Sequence, residues 1–545
     1  MADRKIILIL SGEISSGKST LAGKLAEKFN FLHCKTREGL RFFGSQKLKG
    51  KEPDRDFLLT FGEALDKKDE GKWVLDYFQH LFAKDFHQNR FFIVDSVRIL
   101  NQVKHFRRAY GYSVFHIHLK ASSDVLKERF LSRKEGGLTK EKLNEKYKSA
   151  KANQTESKVP DLEKDADLVI ETDRCNADDV LIRVASFLKL LAPTDNALVD
   201  VVVGGQFGSE GKGQIAAYLA PEYDCLVRVG GPNAGHSVYE FPEHDVFHLL
   251  PSGTRRNPNA LILIGPGAVI NLDKILAEIK HFGVEDKGRL IIDENVTVIR
   301  QEDIDDEKKI KEKIGSTAQG VGFATANNIV ARLHNDEKHK AKNYAKLKPY
   351  LGSSFEKLEG LYRENKRILL EGTQGTGLSI HHGLYPHVTS RDTTVSGCLS
   401  EAGIPPKRVR KIVMVTRTYP IRVGGNSGEF RSDELDWEIV GARSGKDPKE
   451  LKEREKTTTT KRDRRVAEFS WNLFRKACEL NSPSDIALTF VDYISQKNEK
   501  ARRYDQLTPE TRQMIEEIER CSGVKVSLLA INFDYRSVID RRNWR

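Results

Sequence analysis

Two stretches of this chain begin the same way, each with an apolar run, a glycine-rich turn and an amphipathic segment. In the first, residues 5–10 lead into Ser11-Gly-Glu-Ile-Ser-Ser-Gly-Lys-Ser-Thr20 and then residues 21–29. In the second, residues 198–203 lead into Gly204-Gly-Gln-Phe-Gly-Ser-Glu-Gly-Lys-Gly213 and residues 214–219. A buried strand that feeds a helix through such a turn belongs to a parallel sheet flanked by helices, so the pair predicts an α/β fold twice over. Between them, an apolar helix ending at 188–192 gives way to Pro193-Thr-Asp-Asn196, a run of breakers. That divides the 545 residues into a domain at 1–192, a linker at 193–196 and a domain at 197–545. Each is long enough to bury its own core. Strands of the first domain are expected at 5–10, 90–94, 113–119 and 166–170. The second alternates with longer loops, and its charged middle, 336–367, reads as mostly helical.

Composition narrows the function classes. The formal charge is +12, from 90 Lys and Arg against 78 Asp and Glu, but the positive residues are interleaved with acids, as at 134–151. That is the pattern of a solvated helix face, and no helix-turn-helix, zinc-finger or aromatic–basic pattern accompanies it. Anionic small molecules, rather than nucleic acid, are the expected partners. No apolar run approaches the roughly 20 residues a bilayer requires, so no membrane is expected. The opening Met-Ala-Asp-Arg-Lys and its short apolar run do not read as a secretory signal. Cys34, Cys175, Cys225, Cys398, Cys478 and Cys521 contain no C-x-x-C pair and read as free thiols of a reducing, cytoplasmic setting.

Gly12-x-x-x-x-Gly17-Lys18-Ser19 satisfies the P-loop pattern in its strand-to-helix context. Its glycines let backbone N–H groups curl round phosphates at a positive helix end. Lys18 reaches the outer phosphates, and Ser19, followed by Thr20, offers a hydroxyl to Mg2+. Asp95 ends an apolar strand where a carboxylate holds the magnesium shell; the alternative for it is a helix N-cap. Residues 1–192 resemble the (deoxy)nucleoside monophosphate kinases, a group that includes dephospho-coenzyme A kinases. The specific part of the resemblance is the P-loop and the Asp95-Ser-Val-Arg98 turn. It implies that Arg129 and Arg133, ahead of the Lys/Glu-rich 135–151, are lid arginines that neutralise the transferred phosphoryl group. Arg37 is expected to grip an acceptor phosphate. The acceptor itself is not legible.

The second turn lacks the P-loop spacing but has the same chemistry of backbone donors, one lysine and a helix start. It heads a series. Gly230-Gly-Pro-Asn-Ala-Gly-His-Ser237, His248-Leu-Leu-Pro-Ser-Gly253 and Ile264-Gly-Pro-Gly-Ala-Val269 come first. Ile314-Gly-Ser-Thr-Ala-Gln-Gly-Val-Gly322, Glu371-Gly-Thr-Gln-Gly-Thr376 and Tyr385-Pro-His-Val-Thr-Ser390 follow. Thr457-Thr-Thr-Thr-Lys-Arg-Asp-Arg-Arg465 and Leu488-Thr-Phe-Val-Asp492 close it. Those blocks, in that order, resemble the adenylosuccinate synthetases across nearly all of 197–545. That family joins L-aspartate to C6 of a purine nucleotide at the expense of a nucleoside triphosphate, usually GTP. The 6-oxo oxygen is turned into a phosphate, which an amine displaces.

The resemblance implies roles residue by residue. Gly208, Gly211, Lys212 and Gly213 would hold the triphosphate, with Gly235 contributing to a Mg2+ site. His236 would act as general acid, a use suited to a side chain titrating near neutrality. Gln374 would steady the 6-oxygen. Asn233, Ser316, Thr317 and Thr389 would bind the purine monophosphate, which Arg332 would reach across a homodimer interface. Thr459, Thr460, Arg462 and Arg464 would clamp the aspartate carboxylates, where planar guanidinium forks outperform lysine.

Three places depart from the family pattern. Ser209 stands where the ordinary enzyme has the catalytic aspartate, which takes the N1 proton and binds magnesium. A serine hydroxyl is neither a good base nor an anionic ligand. A branch of the family that makes 2-aminoadenylosuccinate from (deoxy)guanylate is similar at this point. Asp492 keeps the position that reads a guanine edge, but the family's lysine two residues earlier is Phe490. The C-terminal Ser-x-Gly-Pro turn is replaced by Ala530-Ile-Asn-Phe533. The donor is therefore open between ATP, dATP and GTP. The expected function is a bifunctional purine nucleotide enzyme, a ligase for (d)GMP or IMP fused to a nucleotide kinase. The alternatives are an inosinate-specific synthetase with a fused kinase and a non-catalytic nucleotide sensor.

Overall fold

The computed structural model describes residues 5–48, 55–132, 139–152, 154–285, 288–314, 317–457 and 462–544. The chain divides into two units, Met1–Leu191 and Ala192–Arg545. Among the described residues no helix is long and apolar enough to cross a membrane.

The first unit has five parallel strands: β1 (Ile6–Gly12), β2 (Leu32–Lys35), β3 (Phe91–Asp95), β4 (Val114–Lys120) and β5 (Leu168–Glu171). They lie in the order β2-β3-β1-β4-β5. β1 is buried along its whole length, and its period of two sends alternate side chains to opposite faces. Leu8 and Leu10 pack with Leu21, Leu25 and Phe29 of helix α1 (Lys18–Phe29), and Ile7 and Ile9 pack with Trp73, Phe78 and Phe106 on the other side. Each such side chain, fully buried, contributes roughly 1.5–3 kcal/mol. Helix α2 (Thr36–Lys47) follows β2 directly. A central strand that opens into a P-loop, flanked in this order, gives a P-loop kinase-like sheet.

The second unit is built on a ten-stranded sheet. In chain order its strands are β6 (Val199–Gly204), β7 (Cys225–Arg228), β8 (Leu261–Ile264), β9 (Leu290–Asp293), β10 (Leu351–Gly352), β11 (Ile368–Glu371), β12 (Val409–Arg417), β13 (Asp485–Thr489), β14 (Val526–Ala530) and β15 (Val538–Asp540). In space they run β10-β9-β8-β7-β11-β6-β12-β13-β14-β15, with only the last pair antiparallel. β6 opens into helix α3 (Lys212–Leu219) as β1 opens into α1. The residue before each helix, Gly17 at φ 100° and Gly211 at φ 84°, sits in the left-handed region where a Cβ is strained. That shared requirement is why the two turns look alike in sequence.

Residues 336–367 are helical over more than half their length, as expected, but nearly half of that is 3-10 and only one α-helix forms. They form short 3-10 turns at Ala341–Asn343 and Ala345–Tyr350, the edge strand β10 and a single α-helix at Ser354–Arg363. Pro349 interrupts the backbone ladder, and Ala341 and Leu347 are drawn into the core, so tertiary packing limits the α-helix in a helix-rich stretch. Two small antiparallel elements flank the large sheet. One pairs His236–Glu240 with Glu243–Phe247; the other pairs Arg464–Ala467 with Ile421–Val423 and Glu434–Leu435.

Candidate functional site

The P-loop of the first unit lines a cleft of about 530 Å³ together with Ser96, Arg98, Arg129 and Thr172. Gly12, Gly17, Lys18, Ser19 and Thr20 all face it. Lys18 Nζ donates to the carbonyls of Gly12 (2.6 Å) and Glu13 (2.8 Å), so the loop's own backbone holds the cation. Glu156 accepts from Ile14 N at 2.7 Å, which braces the turn from the far side. Arg129 donates to Thr172 Oγ1 and O, both at 2.8 Å, on the cleft wall.

Asp95 is buried and is not among the residues facing the cleft. It accepts from Thr36 N at 3.3 Å and lies 3.1 Å from His33 Nε2. It therefore caps α2, the helix after the neighbouring strand. Arg37 is exposed on the first turn of α2 and does not face the cleft, whereas Arg98 does and lies 3.7 Å from Glu156. Arg133 lies outside the described residues. For magnesium the Ser19 hydroxyl, on the cleft wall, fits in kind; the Asp95 carboxylate ends β3, the neighbour of β1, and turns to Thr36 N and His33 instead of the cleft.

In the second unit, a cavity of about 500 Å³ opens beyond the carboxyl ends of the central strands, where parallel sheets place their ligands. Gly208, Ser209, Asn233, Gly235, Thr317, Gln374, Thr389, Arg462 and Arg464 all line it, although they come from segments spread over some 250 residues of sequence. Gln374 Nε2 donates to Thr389 Oγ1 at 2.8 Å. Gln374 Oε1, Asn233 Oδ1 and Thr317 Oγ1 are buried with no hydrogen-bond partner among the described residues. Groups like these cost roughly 1–3 kcal/mol each unless a ligand satisfies them. Ser316, Thr459 and Thr460 lie outside the described residues.

Lys212, Gly211, Gly213 and His236 do not line that cavity; the first three sit at the start of α3, and His236, at the head of the strand His236–Glu240, packs against Gly213. Lys212 is 1% exposed and donates to Glu210 (2.6 Å) and to the Gly208 carbonyl (3.1 Å). Glu210 also accepts from Gln206 N and Gly208 N, so one carboxylate shapes the whole turn. A Cβ on Gly213 would fall 2.8 Å from His236 Cβ, so only glycine lets the histidine stand against the helix end. His236 Nδ1 lies 2.5 Å from Glu371 Oε1, which also accepts from Arg228 (2.6 Å) and Ser252 Oγ (2.5 Å).

Burial and the Arg228 guanidinium push the His236 imidazole far below neutrality, against the pull of Glu371. Burial alone would raise the Glu371 carboxyl, but Arg228 and His236 hold it down to about 2. Without ligands the ring is therefore neutral, with Nδ1–H donated to Glu371. Its Nε2 is buried with no partner among the described residues. Glu371, Arg228 and Ser252 carried no role in the sequence reading; the available signal was a charge at the end of an otherwise apolar strand, in both β7 and β11.

The residues expected to read the donor base are connected to one another. Asp492 is 1% exposed and sits 2.8 Å from Lys446 Nζ. Burial raises its carboxyl to about 6, with Lys446 opposing. The ring of Phe490 packs edge-on against Phe533, with centroids 5.2 Å apart, so two of the sequence departures touch each other. Arg332 is exposed on the Ala331–His334 turn beside exposed Ile329, Val330 and Leu333. No cluster of three His, Cys, Asp or Glu suited to a metal occurs among the described residues. With serine at 209, the protein side of a magnesium site here would be the Ser209 hydroxyl and the Gly235 carbonyl, and a triphosphate would have to supply the anionic ligands.

Comparison with known proteins adds the following. The family profile of adenylosuccinate synthetase matches residues 201–335 and 330–499. The adenylosuccinate synthetase of Methanococcus aeolicus is 34% identical over 351 residues, spanning 63% of this chain and 99% of that protein. The fully ligated adenylosuccinate synthetase of Plasmodium falciparum shares the fold over 64% of this chain and 100% of its own, with a TM-score of 0.54 and 23% identity. The succinoaminodeoxyadenylate synthetase (PurZ) of cyanophage S-2L, bound to dGMP and to dATP as an energy donor, aligns over 64% of this chain and 96% of its own. Its TM-score is 0.52 and its identity 27%.

Proposed function

This chain belongs to the adenylosuccinate synthetase family, and from that premise we propose that its second unit joins L-aspartate to C6 of a purine monophosphate, with (d)GMP preferred to IMP. The observation that carries the guanylate preference is Ser209 on the cavity wall with Asn233 and Gln374. Serine is shorter than aspartate and leaves room for a 2-amino group, and its hydroxyl can accept a hydrogen bond from that edge without taking the N1 proton. Similarity to the cyanophage enzyme that binds dGMP and dATP supports the same reading. The paired Asp492 and the Phe490–Phe533 contact support a donor that is not restricted to guanine, with ATP and dATP included.

In this reading the purine gives its N1 proton to water in the cavity, Ser209 being no base; its 6-oxygen then attacks the γ-phosphorus and the nucleoside diphosphate leaves. The aspartate nitrogen then attacks C6 and inorganic phosphate departs. Glu371 fixes the His236 tautomer by accepting a hydrogen bond from Nδ1–H, and the charge of an arriving triphosphate favours a second proton on Nε2 that can be given to the transferring group. Lys212 exchanges its contacts with Glu210 and Gly208 for phosphate oxygens. Gln374 orients the 6-oxygen, Thr317 and Thr389 hold the monophosphate, and Arg462 and Arg464 take the aspartate carboxylates. Magnesium, when bound with the triphosphate, neutralises phosphate charge. A homodimer in which Arg332 reaches the partner's substrate is supported by the apolar surface around it. The first unit is read as a kinase for a (deoxy)nucleoside monophosphate, with Lys18 and Arg129 on the donor phosphates and the Ser19 hydroxyl in its magnesium shell.

One observation, the serine at the base position, favours a non-catalytic nucleotide sensor instead. Guanylate, deoxyguanylate and inosinate, supplied separately with aspartate and ATP, dATP or GTP, separate the readings by mass spectrometry. No succinyl product from any purine would remove the ligase, and product from inosinate alone would remove the guanylate preference.

A further inference from the structure

Behind the ligase cavity one buried carboxylate ties two loops together. Glu455 follows the helix Pro448–Arg454 and is 1% exposed. Its Oε1 accepts from Arg417 Nη2 at 2.6 Å and from the Tyr493 hydroxyl at 2.8 Å. Its Oε2 lies 3.4 Å from Arg464 Nη1, on the loop read as the aspartate clamp. Arg417 ends β12, is also 1% exposed, and donates through Nη1 to the carbonyl of Ser209 at 3.1 Å. Its backbone is pinned to the same glycine-rich turn, since Arg417 N donates to Gln206 Oε1 (3.0 Å) and Gln206 Nε2 donates to the Arg417 carbonyl (3.1 Å). Its guanidinium lies over the Phe490 ring at 3.9 Å. A single carboxylate thus touches the arginine that grips the phosphate turn and the arginine that faces the cavity.

The charges do not balance: two guanidiniums share one carboxylate. Arg417 Nε and Arg464 Nε are both buried with no hydrogen-bond partner among the described residues. Burial and the nearby Arg417 charge lower the Arg464 guanidinium, with Glu455 opposing. Such a cluster costs more desolvation than an apolar replacement would, which is poor value for stability alone. It makes sense as a shared resource for two anions. An aspartate carboxylate arriving on Arg464 releases Glu455 to Arg417, which tightens the hold on the Ser209 carbonyl and orders the turn before the triphosphate binds.

We propose that Glu455 is a positioning residue that couples aspartate capture to the grip on the triphosphate, by holding Arg464 and the Arg417–Ser209 contact together. The proposal rests on the ligase reading above. Coupling of this kind is reciprocal: whichever ligand binds first meets the ordering cost for both. The test is the aspartate KM of the full chain, measured at low and at saturating triphosphate with guanylate present. In the unaltered protein it falls about tenfold between the two conditions, within the usual range for coupled sites. In Glu455→Gln, and in Arg417→Lys, which keeps the buried charge but cannot bridge both contacts, the ratio drops to about one. At saturating triphosphate kcat stays within a few-fold, which separates positioning from loss of the active site. A ratio near one in the unaltered protein, or an unchanged ratio in a folded variant, overturns the coupling alone. Absence of product from the unaltered protein overturns the ligase reading and the coupling with it.

Discussion

Replacing Glu371 by glutamine tests the account of the buried charges directly. The carboxylate lies beside Arg228 and His236 and accepts from Ser252 N and Oγ, all buried. Glutamine keeps the shape but leaves the Arg228 guanidinium without its counter-charge, a defect that costs about 3–5 kcal/mol. The carboxyl itself gives a consistent figure. Its fall from an ordinary 4.5 to about 2 corresponds to about 3 kcal/mol at about 1.4 kcal/mol per pH unit.

A depressed carboxyl contributes stability that is complete above the unfolded pKa, near 4.5, and is lost as pH falls toward 2. His236 adds a separate loss below about 6.5, because the unfolded chain takes a proton there that the folded ring refuses; that term survives in the variant unless the ring finds a new partner. The gap between Glu371→Gln and the unaltered protein is therefore flat above pH 5 and narrows in more acid solution. Urea unfolding followed by tryptophan fluorescence reads it, because Trp437, Trp471 and Trp544 lie in the second unit and only Trp73 in the first. The double variant Arg228→Met with Glu371→Leu, which removes both charges, is expected to be more stable than the single one. A loss below about 1 kcal/mol, or a double variant no better than the single, refutes the reasoning.

Three further outcomes follow from the two sites. Lys18→Ala removes the cation held by the Gly12 and Glu13 carbonyls and is expected to cost phosphotransfer about 10²-fold or more, while succinyl product still forms; a coupled kinase assay and mass spectrometry read the two. Arg462→Lys exchanges a planar fork for a point charge and is expected to raise the aspartate KM about tenfold with the purine KM little changed, by initial-rate kinetics. Ser209→Asp returns a carboxylate to the cavity wall and is expected to move the guanylate-to-inosinate ratio of kcat/KM about tenfold toward inosinate, by competition between the two purines.

The two glycine-rich turns were legible because they need special residues locally. A turn with a left-handed residue before a helix demands Gly17 or Gly211, and the lysine that follows is part of the same short motif. The arrangement around His236 was not legible, because it depends on which strands are neighbours. β11 pairs with β7 in parallel, in the register that sets Glu371 opposite Arg228, 143 residues away in the chain. No local pattern records that pairing. Arg37, expected after β2 as an acceptor grip, lies exposed on the first turn of α2 and does not line the P-loop cleft. Sequence offset fixes the helix a residue occupies, but not which turn of that helix faces a ligand.

The interior of the second unit carries positive charge that its own carboxylates do not fully answer. Arg422 is lowered to about 10 by burial and by Arg465, and Arg464 is lowered as well. Both line the cavity with Arg462. A guanidinium pushed down in this way resists its charge, and the buried unpartnered polar atoms beside it are poorly satisfied by the protein alone. In the proposed reaction, a phosphate or an aspartate carboxylate supplies the missing anion. The net excess of 12 positive charges on the chain is thus less informative than where a few of them stand: interleaved surface charges are answered by neighbours and solvent, while these are answered by ligand. Affinity and ligand-induced stabilisation are then two measures of one free energy, which is the reason a site so poorly satisfied by its own side chains persists in an otherwise well-packed sheet.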